Sequence, residues 1–188
     1  MNNEINEAIR LHKKLIRDFE KDGTKIILEI VEMIYKSLQK GGCIYLCGNG
    51  GSAADAQHIA GEFVVRFKHN RKSLPAVALT TDSSILTGIG NDYSFEEIFS
   101  RQIESLVGSS DIVWVLSTSG KSKNILAVAK LARQKGAKVI TFTGKSGNEL
   151  EKISDITLNV NTSLCSAAQE IHEIAYHMIC DLIEKKFL

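Results

Sequence analysis

From residue 43 onward the chain repeats one unit, a short apolar run followed by a turn and an amphipathic stretch. The apolar runs are Cys43–Cys47, Ala76–Leu79, Ile112–Leu116, Val139–Phe142 and Ile156–Val160. Helical periodicity falls near 53–67, 95–106, 123–135, 147–153 and 166–186. Strands that alternate with helices can close a core only as a parallel sheet covered on both faces. The pattern therefore predicts an α/β three-layer sandwich with a five-stranded parallel sheet flanked by helices. Residues 1–40 precede it as a helical preface. Ile5, Ile9, His12, Ile16 and Phe19 follow one face there, and Ile27, Ile30, Ile34 and Leu38 another. Asp22-Gly23-Thr24 predicts a break into two N-terminal helices, and Gly41-Gly42 ends the second. The preface is expected to serve packing or oligomerisation. No boundary or repeat divides residues 1–188, so one domain is expected.

Charge excludes some partners. There are 23 basic and 22 acidic residues, spread evenly, which argues against a nucleic-acid track or an anionic membrane surface. No apolar run reaches membrane-spanning length, and the opening Met1-Asn2-Asn3-Glu4 is no signal peptide. The four cysteines show neither CxxC nor zinc-finger spacing, and buried reduced thiols are expected. The chain reads as cytoplasmic.

In parallel α/β sheets ligands bind beyond the carboxyl ends of the strands, so the loops there are the candidate site. Ser117-Thr118-Ser119-Gly120-Lys121-Ser122 joins a strand to a helix, where unpaired N–H groups and the helix dipole favour an anion. Four hydroxyls crowd a turn in which one would cap the helix, which suggests a phosphate grip beside the plainer reading of a well-capped loop. After the first strand comes Gly48-Asn49-Gly50-Gly51-Ser52-Ala53-Ala54. Its match to a dinucleotide fingerprint is weak, because Asp82 lies beyond the usual spacing of about 20 residues. A Walker A loop is excluded. The glycine that motif needs before Gly120-Lys121-Ser122 or Gly144-Lys145-Ser146 is replaced by Val115 or Val139, both inside strands. Asn91-Asp92, after the second strand, reads equally as a turn or as partners for sugar hydroxyls.

Two helices carry spaced polar side chains. His58 and Glu62 are four apart, as are Gln169, Glu173 and His177, so each set shares a helix face. His58 with Glu62 on one helix and Gln169 with His177 on the other suit either one divalent ion or a proton-transfer pair, Glu62 with His177. Solvated surface residues would give the same spacing.

The segments Cys47 to His58, Gly61-Glu62-Phe63, Gly90-Asn91-Asp92, Ser117 to Ser122 and Gln169-Glu170-Ile171-His172, with His177 after them, resemble the sugar isomerase (SIS) family. The similarity is greatest to its heptose-phosphate isomerase branch and covers nearly the whole chain. It implies an isomerase converting sedoheptulose 7-phosphate to D-glycero-D-manno-heptose 7-phosphate through an enediol, at the head of bacterial ADP- or GDP-heptose synthesis for lipopolysaccharide or other surface glycans. By resemblance, Ser52, Ser117, Ser119 and Ser122 would hold the phosphate, with Thr118 beside them. Asn49, Gly50, Gly51, Asn91, Asp92, Glu62 and Gln169 contact the rest of the substrate. His58, Glu62, Gln169 and His177 bind one Zn2+ per subunit, and Glu62 and His177 are the acid–base pair. The family is typically a homotetramer with active sites at subunit interfaces. It also includes a non-catalytic homologue that binds the replication initiator DnaA, which stands as the alternative.

Overall fold

The computed structural model describes residues 2–188; Met1, counted above in the domain and its preface, lies outside the described residues. The chain begins with α1 (Asn2–Gln39) and β1 (Ile44–Gly48). It continues through α2 (Gly51–Val64), β2 (Ala76–Ala78), α3 (Ser83–Asp92), a 3-10 turn (Phe95–Glu97) and α4 (Ser100–Leu106). Then come β3 (Ile112–Ser117), α5 (Lys123–Gln134), β4 (Lys138–Thr143), α6 (Glu149–Ile153), β5 (Ile156–Asn159) and α7 (Cys165–Lys186). The five strands form one sheet in the order β2-β1-β3-β4-β5, and every pairing is parallel. This is the sheet with helices on both faces that the alternation predicts.

The strands explain the layers. β1 and β3 are buried along their whole length, as their unbroken apolar runs require of central parallel strands. Side chains alternate across the pleat, so Trp114 and Leu116 enter the core shared with α1, α2 and α7. Val113 and Val115 enter the opposite core, under α4 and α5. Trp114 meets Phe142 edge-on at 5.0 Å.

Three features differ from the sequence expectation. The preface is a single 38-residue helix. Gly23 does not break it, because the Phe19 ring, one turn earlier, lies over Gly23 where a β-carbon would meet it at 2.5 Å. That glycine serves packing inside a helix. Second, Ser83–Asp92, outside the expected helical stretches, forms α3. Asp82 caps it by accepting from the Ile85 N–H at 2.9 Å. Gly88, Gly90, Asn91 and Asp92 obscure its periodicity by their low helix propensity. Third, the thiols are not uniformly buried. Cys47 and Cys180 are, Cys43 is half-buried and Cys165 is exposed, with none in a disulfide. Among the described residues no helix is long and apolar enough to cross a membrane.

Candidate active site

The sheet order reverses between β1 and β3, so their following helices leave on opposite faces and open a crevice at the carboxyl end. Both glycine- and serine-rich turns lie there. A small cavity of about 80 Å³ is lined by Asn49, Ser52, Ser117, Thr118, Ser119, Ser122 and Gln169, together with Leu116. Gly50 has φ 58°, a conformation that side chains rarely adopt, and this turn starts α2. Ser52 and Ser117 are buried, whereas Ser119 is exposed. Ser122 is the N-cap residue of α5 yet makes no side-chain cap bond, which leaves its hydroxyl available to a ligand. Lys121 is exposed.

The turns are braced from behind. The Asn49 and Asn124 amides donate to each other, each bond 2.9 Å long, and tie the β1 turn to the first turn of α5. The Gly144 N–H donates to the Thr118 carbonyl at 3.0 Å. On the far side, the Gln169 amide reaches Ser52 Oγ at a long 3.4 Å and lies against Gly51.

The polar helix faces converge between α2 and α7. His58 Nε2 lies 3.2 Å from Glu62 Oε1, and His58 Nδ1 hydrogen-bonds the buried Tyr176 hydroxyl at 3.0 Å. The His58 and His177 rings stand edge to face at 5.0 Å, and Phe67 stacks on His177 at 5.6 Å. Burial and then His58 lower the His177 pKa against opposing carboxylates, so this imidazole is neutral at neutral pH. Burial and then Glu173 push the Asp55 carboxyl up to about 6, while His58 acts in the opposite sense. Ligand atoms of His58, Glu173 and His177 lie within 4.8 Å of one another. Two imidazole nitrogens and a carboxylate oxygen make a donor set that suits zinc.

The expected residues thus divide. Asn49, Ser52, Ser117, Thr118, Ser119, Ser122 and Gln169 line one crevice, Gly50 and Gly51 form the turn between Asn49 and Ser52 without lining it, and His58, Glu62 and His177 share the α2–α7 seam. Asn91 and Asp92 do not line the cavity; they end α3, exposed, with Asn91 donating to Asp92 at 2.8 Å. Glu173 stands in the histidine cluster although the resemblance gave it no part. Its spacing from Gln169 and His177 was the available signal. Asn124 and Tyr176 carried none, being an amide inside a helix and an aromatic in an apolar face.

The hydroxyl-lined pocket at the sheet switch point and the histidine–carboxylate seam between α2 and α7 are the two candidate functional features of this fold. The SIS domain model matches residues 9–144. Phosphoheptose isomerase of Burkholderia pseudomallei (strain 1710b) is 46% identical over 182 residues, covering 97% of this chain and 91% of that protein. The Synechocystis phosphoheptose isomerase is 44% identical over 174 residues, or 93% and 90% of the two chains. The structure of phosphoheptose isomerase from Neisseria gonorrhoeae superposes with a TM-score of 0.92 at 35% identity, covering 98% of both chains. That of Francisella tularensis gives 0.93 at 33%, over 97% of both. The chain belongs to the SIS-domain family, in its phosphoheptose isomerase branch.

Proposed function

We propose that this chain is an isomerase converting sedoheptulose 7-phosphate to D-glycero-D-manno-heptose 7-phosphate in bacterial heptose synthesis for surface glycans. The observation that carries the reading is the juxtaposition of the hydroxyl-lined crevice with the Glu62–His58–His177 seam. The DnaA-binding alternative gains no support from the relatives.

Ser52, Ser117, Thr118, Ser119 and Ser122 take the phosphate, helped by the N–H groups that open α2 and α5. Binding there, remote from the reacting carbons, holds C1 and C2 against the proton-transfer groups. Glu62 removes the C1 proton to give the enediol, and His177, kept neutral by burial, exchanges protons on the oxygen and C2 side. Gln169 and the Asn49–Gly51 turn position the sugar chain. One zinc ion would be held by His58, Glu62, Gln169 and His177, with Glu173 as a further oxygen donor. It would polarise the substrate carbonyl when bound.

The whole chain serves as one SIS domain in the cytoplasm, consistent with its unbonded cysteines. A homotetramer with sites at subunit interfaces accounts for two features. Ile5, Ile9 and Ile16 of α1 are exposed, and Ile16 lines an apolar groove between α1 and α7. Asn91 and Asp92 stay outside their own chain's cavity, free to reach a neighbour's.

The test is to incubate metal-replete protein with sedoheptulose 7-phosphate and follow the aldoheptose 7-phosphate by NMR. Wild type should turn over, and Glu62→Gln should lose about 100-fold or more in kcat. Absence of wild-type turnover would refute the reading.

A further inference from the structure

Behind the proton-transfer seam lies a buried ion pair that no step of the proposed reaction uses. The Glu184 side chain is fully buried on α7, seven residues after His177 and so on the same helix face. Its Oε1 accepts from the Phe67 N–H at 2.8 Å, and its Oε2 from Lys68 and His69 at 2.7 and 2.8 Å. Burial raises its pKa, but these donors and Arg71 outweigh that and hold it below the ordinary value. Arg71 Nε lies 3.4 Å from Glu184 Oε1, and its side chain is only 2% exposed. The Arg71 guanidinium also donates to the carbonyls of Glu62 and Phe63, both at 2.8 Å. Those are two of the carbonyls that the last turn of α2 leaves without helical partners.

We infer that the Arg71–Glu184 pair is a positioning device for both proton-transfer residues, one fork fixing the backbone of Glu62 and the other end fixing the Phe67 ring against His177. Three N–H bonds to one carboxylate set residues 67–69, and Phe67 stacks on His177 with 27° between the ring planes. With Tyr176 edge-on at 4.7 Å and His58 at 5.0 Å, the imidazole is held on several sides. An imidazole so confined keeps its nitrogens aimed without rotamer loss at each turnover. None of Phe67, Arg71 and Glu184 lines the phosphate crevice. The device therefore acts on kcat and leaves the substrate's grip, and KM, alone.

The inference rests on the reading of Glu62 and His177 given above, and its test separates the two. Removing Glu184 would strand a buried charge and endanger folding, so milder variants are used. Phe67→Leu keeps apolar bulk without a stacking face, Phe67→Tyr restores the face, and Arg71→Lys keeps charge without the fork. Kinetics are measured with sedoheptulose 7-phosphate, melting is followed by circular dichroism, and the His177 ring proton shifts are read by NMR. Expected are a kcat about tenfold lower for Phe67→Leu and Arg71→Lys, KM within about twofold, and recovery in Phe67→Tyr. The His177 ring protons should shift when the Phe67 ring current is removed. Unchanged kcat in Phe67→Leu, a KM that rises in step with the loss, or no rescue by Tyr would overturn the inference. Lack of turnover in wild type would overturn it together with the proposed function, and unmoved His177 resonances in Phe67→Leu would refute the stacking alone.

Discussion

Gly144→Ala should loosen the phosphate turn from a position outside the substrate crevice. A β-carbon at Gly144 would meet the Thr118 carbonyl oxygen at 2.4 Å and the Thr162 carbonyl oxygen at 2.9 Å. Both obstacles are backbone, one in the serine turn and one ahead of α7, so no side-chain rotation relieves the overlap. Restoring ordinary contact of about 3.4 Å needs roughly 1 Å of separation between the turn after β4 and Thr118, against the close packing of the interior. That displacement breaks the 3.0 Å bond from the Gly144 N–H to the Thr118 carbonyl. A lost hydrogen bond costs about 1 kcal/mol and overpacking a further 1–3 kcal/mol. At about 2–4 °C per kcal/mol for a chain of this size, the melting midpoint should fall by roughly 4–16 °C. A shift of about 1 Å in substrate-holding groups costs about 100-fold in rate, and here the loss should fall on kcat/KM through a raised KM. Calorimetry and steady-state kinetics check both expectations. Gly88→Ala is the control, since a β-carbon there meets nothing within 4 Å. An exposed helical Gly→Ala should stabilise α3 by up to about 1 kcal/mol. A Gly144→Ala enzyme with wild-type melting and wild-type KM would refute the steric argument.

Acid should weaken the fold through His172. This fully buried imidazole lies 3.0 Å from the Thr143 carbonyl through Nε2, which must therefore carry the hydrogen, while Nδ1 has no hydrogen-bond partner among the described residues. Burial lowers its pKa from 6.5 to about 4, with the Thr143 bond opposing. Between those values the unfolded chain binds the extra proton and the folded one does not, so stability is full above 6.5 and falls as pH drops. The loss approaches about 3 kcal/mol below pH 4. The raised Asp55 carboxyl contributes a slope of opposite sign between about 6 and 3.8, so the His172 contribution is read as the difference between urea melts of wild type and of His172→Gln, which can still donate to Thr143; identical pH profiles for the two would remove His172 as a cause. Asp82→Ala deletes the α3 cap and should cost about 1 kcal/mol with little change in kcat, measured by urea unfolding.

How much of this was legible in the sequence depends on whether the signal was local. β1 and β3 could be read from their uninterrupted apolar runs, and the switch-point crevice then followed from the alternation. The serine turn announced itself by having more hydroxyls than a cap needs. The α3 helix was hidden because its glycines and Asn91-Asp92 mimic a loop, and only the Asp82 cap betrays it. Gly23 misled for the opposite reason, since its role is to admit the Phe19 ring rather than to end a helix. Within the site, the spacing of His58, Glu62, Gln169 and His177 was visible. The pairings of Asn49 with Asn124 and of Arg71 with Glu184 were not, because 75 and 113 residues separate partners that only the sheet topology brings together.

The Asn49–Asn124 pair also says something about tolerance of charge. A lysine or arginine joining the two turns would offer a competing cation beside an incoming dianion, and a carboxylate would repel it. Two reciprocal amides do neither. They carry no net charge, titrate at no accessible pH and are little affected by salt. The spacing of the turns is thus independent of ionic conditions, and the field at the crevice is left to the helix termini, the hydroxyls and the substrate.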